Sequence, residues 1–384
     1  MINKKRLLEE FLELCSIPSV SGSERKAADA IKQKLSDMGF EVYEDNAGES
    51  FGGDTGNIIA TLKGEEGIEP VIFSAHMDSV ESTEALKPVL ENGVIRSDGT
   101  TILGADDKTG IAVSLEGIRS YLESGKPRGD IQCVFTVGEE NGLNGSSNID
   151  ISRLLDGNMY VMDSGSPVCS IVLAAPSHKT MTFEIKGKAS HAGMAPENGV
   201  NSIACAARAI NGIRWGRVDE ETTCNAGVIS GGKARNIVPD YCRVLAEARS
   251  HDKDKLEALA ASITESFRNA CREFGAELEY RVEDEYVSFR FAIDDPVCQT
   301  AVRAAEKLGI TPETEISGGG FDANFFNAKG IPAVALGTGY ENCHTHGEQI
   351  REEDLYTSAM HVFCILEVLY EQREDKQDSP SFGF

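Results

Sequence analysis

Hydrophobic and polar residues alternate along the chain in two periods, one typical of helices and the other of buried strands. Apolar residues recur at helical spacing near the start of the chain, at Leu7, Leu8, Phe11, Leu12 and Leu14. Short continuous apolar runs bounded by glycine or proline instead predict strands that are buried on both faces. The predicted helices of the first half are 4–15, 24–38 and 109–123, and its predicted strands are 40–44, 57–62, 71–76, 131–137 and 159–162.

This alternation predicts an α/β fold, with a mixed, mostly parallel sheet covered by helices on both faces. The pattern changes near Ser177, where the order becomes βαββαβ and predicts an inserted α+β domain of the ferredoxin-like kind. From about Pro296, predicted helices and strands alternate again as they do in the first half. The predicted elements of the insert are strands 180–186, 222–229, 241–249 and 276–282 with helices 201–213 and 254–274, and those after it are helices 296–308 and 353–371 with strand 334–337.

A chain of 384 residues exceeds what one hydrophobic core usually holds, which agrees with two domains. We predict that residues 1–177 and 288–384 form the larger domain and that residues 178–287 form the inserted one. The polar segment 373–384 is predicted to be a disordered tail.

Charge and composition exclude several classes of function. The formal net charge is −25, from 37 basic and 62 acidic residues, so the chain lacks the basic surface that nucleic acid binding requires. There is no run of 18 apolar residues, so we expect no membrane span. The first ten residues are charged and lack the apolar core of a signal peptide, which favours a cytoplasmic location.

Ten cysteines are spread from Cys15 to Cys364 without a CxxC pair. We interpret them as mostly buried thiols in a reducing compartment. Since zinc–thiolate sites need closely paired cysteines, a metal in this protein must be bound through histidine and carboxylate groups.

Histidines and acids follow the ends of several predicted elements. His76 and Asp78 close an apolar strand, and alternate residues of a strand share a face, so Asp78 is placed to orient the imidazole. Asp106 and Asp107 precede the helix at 109, where they either bind cations or favour the helix dipole. An HxD pair on its own is also common in surface loops.

Acids also close two further strands. Glu139 and Glu140 follow the apolar run 131–137, where the alternative is a solvated turn, and Asp163 ends the next strand. His344 and His346 come shortly before the last helix. Because ligands bind at the carboxyl ends of strands in open α/β sheets, this recurrence predicts a metal site there. Two imidazoles with three carboxylates suit two Zn²⁺ ions, with Mn²⁺ or Co²⁺ as alternatives.

The order of the motifs HMD, GADDK, GEENGLNGS, MDSG, GKASHAG, SGGGFDAN and CHTHGE resembles that of the dinuclear zinc peptidases related to peptidase T. The resemblance runs from about residue 10 to residue 370. It implies a zinc exopeptidase fold for the larger domain and a lid and dimerisation role for the insert. It also implies hydrolysis of short peptides by a homodimer.

The resemblance assigns roles to the residues of the site. His76 and Asp163 would hold one zinc ion, Glu140 and His344 the other, and Asp106 would bridge both, with a cis peptide bond before Asp107. Glu348 selects His344 over His346, because the family's late histidine is usually followed by glutamate four residues later. Glu139 matches the general base that activates a metal-bridging water, and Asp78 matches the acid that supports His76.

In the insert, the resemblance implies that His191 stabilises the oxyanion, often in the partner subunit's active site. Arg235 and Asn236 lie where relatives hold the substrate, although relatives often carry a smaller residue at the position of Arg235. The favoured function is a tripeptidase or aminopeptidase that releases the N-terminal residue. A dipeptidase, a carboxypeptidase or an N-acyl amino acid deacylase would use the same metal ligands. A non-catalytic peptide-binding relative is disfavoured because every ligand and catalytic position is filled.

Overall fold

The structure is a computed structural model that describes residues 1–378. It divides into two compact units. The first contains Met1–Leu173, Phe291–Ile316 and the described residues from Phe321 to Asp378, and the second contains Ala174–Arg290 and Ser317–Gly320. The sequence placed the divisions after residues 177 and 287, whereas the structure places them after Leu173 and Arg290. The return of Ser317–Gly320 to the second unit had no signal in the sequence.

The first part of the chain alternates helices with short buried strands, as its apolar pattern predicts. Strands β3 and β6 are buried at every position, which explains their unbroken apolar runs. In chain order the elements are α1 (Lys4–Cys15), α2 (Arg25–Asp37), β1 (Glu41–Glu44), β2 (Ile58–Leu62), β3 (Val71–His76), β4 (Pro88–Glu91), β5 (Val94–Ser97), α3 (Ala105–Glu123), β6 (Ile131–Thr136), α4 (Asn144–Ser147), β7 (Asn158–Ser164) and β8 (Ile171–Ala175).

The remaining elements belong to the insert and to the return of the chain to the first unit. Those of the insert are β9 (Ser177–Lys186), α5 (Ser202–Asn211), β10 (Gly216–Arg217), β11 (Thr222–Gly231), β12 (Tyr241–Ser250), α6 (Lys253–Phe274), β13 (Glu277–Tyr286) and β14 (Phe289–Arg290). Those that follow are α7 (Pro296–Lys307), β15 (Thr314–Ile316), α8 (Asp322–Ala328), β16 (Ala333–Gly337), β17 (Gln349–Arg351) and α9 (Glu352–Asp378).

The main sheet of the first unit has the strand order β1-β2-β6-β3-β7-β16-β8, with β15 also paired to β8. Its centre, from β6 to β16, is parallel, and β1, β2 and β8 pair antiparallel outside that centre. Helices α2, α3, α7 and α8 pack against these strands. Helix α9 packs against α1, α3 and α7, and α1 also packs against α3, around one continuous apolar core. The predicted mixed α/β fold is confirmed, and the parallel centre brings several strand ends to one edge.

The second unit is an antiparallel sheet, β10-β11-β12-β9-β13, with α5 and α6 packed on one face. Buried and partly exposed residues alternate along β9 and β12, as expected of a sheet covered on one side only. Its core contains Phe183 stacked on Phe267 at a ring-centroid distance of 3.9 Å. The predicted βαββαβ order is present, with the two-residue strand β10 added.

Several features differ from the prediction. A small sheet, β17-β5-β4, was missed because its strands are only three or four residues long and mostly exposed or partly exposed, so they form no continuous apolar run. Helix α9 continues to Asp378, so the first part of the predicted disordered tail is helical, and residues 379–384 lie outside the described part of the chain. All ten cysteines are free and all but Cys343 are buried, as predicted for most of them. Within residues 1–378, no helix is long and apolar enough to cross a membrane.

Candidate metal centre

The candidate ligands converge because three parallel strands end beside one another. Strand β3 lies between β6 and β7 in the sheet, and His76 at its end is in register with Thr136 of β6. Glu139 and Glu140 continue beyond β6, and Asp163 lies near the end of β7. The prediction that these side chains share one edge of the sheet agrees with this topology.

Asp106 lies between two histidines. Its Oδ1 atom is 3.0 Å from Nε2 of His76, and its Oδ2 atom is 3.3 Å from Nε2 of His344. On the first side, Oδ1 of Asp163 lies 3.8 Å from the same nitrogen of His76. On the second side, Oε2 of Glu140 lies 3.0 Å from Nε2 of His344. Each oxygen of Asp106 therefore faces a different group of one imidazole and one carboxylate.

The start of α3 presents Asp106 to this centre. The backbone of Asp106 and Asp107 is non-helical, and the peptide bond between them is cis, as the resemblance implied. Asp107 accepts hydrogen bonds from the backbone N–H groups of Gly110 at 2.9 Å and His76 at 3.3 Å, so its carboxylate joins the helix to strand β3. A Cβ atom on Gly110 would lie 2.5 Å from the carbonyl oxygen of Met162, so only glycine permits this close approach.

Asp78 is fully buried and contacts His76 on the side of the ring away from Asp106. Its Oδ1 atom lies 3.3 Å from Nδ1 of His76, the ring nitrogen that does not face Asp106. The two oxygens also accept the backbone N–H groups of Glu139 and Glu140, each at 3.1 Å. The expected pairing of Asp78 with His76 is present, and Asp78 in addition fixes the backbone of the paired acids.

The two late histidines have different surroundings. Nε2 of His344 faces Asp106 and Glu140, whereas Nε2 of His346 lies 2.7 Å from Oε1 of Glu81. His344 has a φ of +61°, a left-handed conformation that turns its side chain relative to its neighbours. Buried Glu348 accepts the N–H group of Asp106 at 2.9 Å, so it joins the His344 segment to the start of α3. The geometry agrees with the choice of His344.

The donor set fits divalent cations. Burial raises the pKa of Asp163 well above its usual range, and the neighbouring Asp106 raises it further. Burial alone would raise the pKa of Asp106 too, but hydrogen bonds from His344 and His76 hold it low. Within the described residues, Oε1 of Glu140 is buried without a hydrogen-bond partner. Carboxylates packed together away from water need positive charge to stay ionised, and cations between these groups would supply it.

Four residues near the centre were missed by sequence reasoning. Tyr340 donates its hydroxyl to Oδ1 of Asp163 at 3.1 Å, and buried Asp322 accepts from the hydroxyls of Thr136 and Ser146. Lys108 is buried and donates to the carbonyl of Met77 at 2.6 Å. The metal-binding atoms of Cys343 lie within 4.8 Å of those of Asp106 and His344. Asp322 and Lys108 stand in the motifs SGGGFDAN and GADDK, which were the available signals.

The three predicted substrate residues of the insert are exposed in the second unit. Nδ1 of His191 accepts the N–H groups of Gly193 at 3.2 Å and Met194 at 3.1 Å. The carbonyl oxygen of Asn236 accepts the N–H group of Ala192 at 3.0 Å, so the His191 and Asn236 loops are joined. The roles of His191, Arg235 and Asn236 toward substrate stay predictions.

Comparison with known proteins places this centre in a family. The sequence profile of peptidase family M20/M25/M40 matches residues 72–367, a span that contains every candidate ligand as well as Asp78 and Glu139. The chain belongs to this peptidase family. The assignment makes it a hydrolytic metallo-exopeptidase and confirms the resemblance to peptidase T that its motifs indicated.

Two solved structures are similar to this one over nearly the whole chain. Aminopeptidase PepT from Bacillus cereus is 42% identical with a TM-score of 0.89, and covers 96% of this chain and 99% of its own. A tripeptidase from Staphylococcus aureus is 38% identical with a TM-score of 0.94, and covers 97% of this chain and 100% of its own. Peptidase T from Fusobacterium nucleatum is 27% identical over 332 residues, 85% of this chain and 79% of that protein.

Proposed function

We propose that this M20 peptidase is a tripeptidase-type aminopeptidase that removes the N-terminal residue from short peptides with two divalent cations. The observation that carries the proposal is the position of Asp106, whose two oxygens face two separate imidazole–carboxylate groups. His76 and Asp163 would hold one cation, Glu140 and His344 the other, and Asp106 both. Zn²⁺ suits this set of nitrogen and oxygen donors, with Mn²⁺ and Co²⁺ as alternatives.

Two cations held by these residues would polarise a peptide carbonyl and would lower the pKa of a water toward about 7. Glu139 would act as the general base that takes a proton from this water. It is partly buried beside the ligands, and this burial, together with the charge of Asp163, raises the pKa of its carboxyl well above the usual range. A carboxylate with a raised pKa is a stronger base at neutral pH, and it can pass the proton to the leaving amine.

The preference for the N-terminal residue is supported by the similarity to an aminopeptidase and a tripeptidase over nearly the full chain. A dipeptidase, a carboxypeptidase or an N-acyl amino acid deacylase would use the same ligands. The deciding experiment incubates the Zn²⁺-loaded enzyme with a free tripeptide, its N-acetyl form and its C-terminal amide, and identifies the products by mass spectrometry. Release of the N-terminal residue from the free peptide is expected. Cleavage of the acetylated peptide alone would refute the proposal.

Arg235 is proposed to pair with the substrate α-carboxylate, since its guanidinium forms two parallel hydrogen bonds with such a group. Arg235→Ala should then raise KM for the free tripeptide and leave KM for its amide unchanged. An equal rise for both substrates would contradict this role. His191 is proposed to stabilise the oxyanion, so His191→Ala should lower kcat, and Asn236 is proposed to hold the peptide backbone.

A homodimer through the second unit is supported by the outer edge of β11. Strand β10 pairs with β11 only at Cys224 and Thr223, so within the described residues the edge beyond Asn225 has no strand partner. Val228 and Ile229 on β11 are 51% and 52% exposed. An open edge with exposed apolar side chains favours pairing with another chain.

Sedimentation velocity tests the homodimer. Val228→Asp should convert dimers to monomers. Leu90→Asp, at a position of the first unit that is 46% exposed, should leave them intact. A monomeric wild type would refute the proposal. The cytoplasmic location stays a prediction.

A further inference from the structure

The loop between α1 and α2 is attached directly to the segment that carries Asp78. Val20 forms a parallel bridge with Ser79, and the N–H group of Ser79 donates to the carbonyl oxygen of Ser19 at 3.0 Å. The loop therefore runs alongside the continuation of β3, immediately beyond His76. Its residues Ser21–Glu24, with the sequence SGSE, belong to none of the motifs that contain the candidate ligands.

Two side chains of this loop contact the supports of the metal centre. The hydroxyl of Ser21 donates to Oδ2 of Asp78 at 2.6 Å. Oε1 of Glu24 accepts the N–H group of Gly138 at 3.0 Å, and Glu24 is fully buried. Glu24 stands at the N-cap position of α2, yet its side chain makes no capping hydrogen bond to that helix. Its carboxyl is directed to the strand end that precedes Glu139 instead.

The consequence is a continuous set of hydrogen bonds beneath the paired acids. The N–H group of Gly138 is held by Glu24, and those of Glu139 and Glu140 are held by Asp78. Three successive backbone N–H groups thus donate hydrogen bonds to two buried carboxyl groups. Gly138 has a φ of +59°, and a Cβ atom there would lie 2.8 Å from the ring of Phe51, so this turn before the paired acids requires glycine.

We propose that Ser21 and Glu24 are positioning residues of the hydrolase: Ser21 holds Asp78, and Glu24 holds the Gly138–Glu140 backbone, so that His76, Glu139 and Glu140 stay in their working orientation. The inference rests on the proposed function, since it names what those three side chains do. Neither residue is among the proposed ligands of the cations or of the substrate. Groups that orient metal ligands typically change metal affinity or activity by about 10- to 100-fold when removed.

Glu24 offers a test that separates its hydrogen bond from its charge. Burial raises the pKa of this carboxyl to about 7, which means that burial favours its neutral form. Glu24→Gln retains an oxygen to accept from Gly138, whereas Glu24→Ala removes it. Ser21→Ala removes the contact with Asp78 alone. The matched control is Glu116→Ala, because Glu116 on α3 is also fully buried and accepts a backbone N–H group, that of Asn3, at 2.8 Å. Its further partners Arg6 and Ser120 lie outside the metal centre.

The experiment measures three quantities for each full-length variant: the midpoint of thermal unfolding, retention of Zn²⁺ against a chromogenic chelator, and kcat and KM for the free tripeptide. Ser21→Ala and Glu24→Ala should weaken Zn²⁺ retention and lower kcat by roughly 10- to 100-fold, with little change in KM. Glu24→Gln should stay within about threefold of wild type, because it keeps the acceptor. Glu116→Ala should lose stability without losing kcat.

Wild-type Zn²⁺ retention and kcat in folded Ser21→Ala and Glu24→Ala would overturn the inference, and so would a Glu24→Gln variant as impaired as Glu24→Ala. If Glu24→Ala does not fold, Ser21→Ala and Glu24→Gln decide the matter. A wild-type enzyme that binds Zn²⁺ but cleaves no free peptide would refute the proposed function only, since the chelator measurement still tests Ser21 and Glu24.

Discussion

Replacing Asp78 by asparagine tests how much the centre depends on a side chain that binds neither cation nor substrate. The asparagine keeps the size of the aspartate but replaces one carboxylate oxygen by an NH₂ group. Both oxygens accept backbone N–H groups, Oδ1 from Glu139 and Oδ2 from Glu140, and Oδ1 also lies 3.3 Å from Nδ1 of His76. Whichever way the amide is turned, its NH₂ group faces a backbone donor.

The structure sets the size of the expected effect. At least one hydrogen bond to a charged acceptor is lost, and such a bond contributes about 1.5–3 kcal/mol, or roughly 10- to 150-fold in an equilibrium or rate. This range agrees with the roughly 10- to 100-fold effects measured for groups that orient metal ligands. Asp78→Asn should therefore lower kcat/KM by about 10- to 100-fold and weaken Zn²⁺ retention.

The assay combines initial rates on a free tripeptide with chelator competition for Zn²⁺. Asp45→Asn is the control, because Asp45 is also buried and accepts a backbone N–H group, from Asn57 at 2.8 Å. Asp45→Asn should lower the stability of the fold and leave kcat/KM of the folded enzyme unchanged. Wild-type kcat/KM in Asp78→Asn, or an equal loss in Asp45→Asn, would refute the reasoning.

Three further predictions concern single side chains. Glu139→Gln should lower kcat by about 10²–10⁴-fold while the metal content stays the same, and both quantities are measured on the same preparation. An unchanged kcat would exclude Glu139 as the general base. His344→Ala should lose about one bound cation, measured by elemental analysis, because Nε2 of His344 faces Asp106 and Glu140. His346→Ala should keep both cations. Loss of a cation from His346→Ala alone would show that His346 is the ligand instead. Burial lowers the pKa of His361 from 6.5 to about 4, so the unfolded chain takes up a proton that the folded chain excludes. Stability should fall as pH drops from about 6.5 to about 4, by roughly 3 kcal/mol from this residue. Urea unfolding at both pH values should show a smaller loss for His361→Gln, whose amide can still donate to the carbonyl of Ala301; an equal loss contradicts this.

The apolar pattern predicted those elements whose burial is regular along the chain. Helix α1 and strand β3 have the predicted bounds, because local spacing records which face of an element is buried. Helix α3 begins at Ala105 rather than Thr109, with two non-helical residues that no periodicity encodes. The small sheet was missed for a related reason: strands of three or four residues are too short to show a periodicity, and their conformation depends on the strands that they pair with.

The sequence by itself determined which chemical groups the centre contains and that they follow strand ends. Which of these groups share a cation was implied only by the resemblance to peptidase T, because local sequence spacing does not encode contacts between distant segments. Glu348 accepts from Gly104, 244 positions away, and Glu24 accepts from Gly138, 114 positions away. The choice between His344 and His346 likewise rests on a left-handed backbone at His344 and on Glu81, which pairs with His346. Local sequence sets the identity and face of each side chain, whereas contacts across such separations exist only once the sheet has brought its strand ends together.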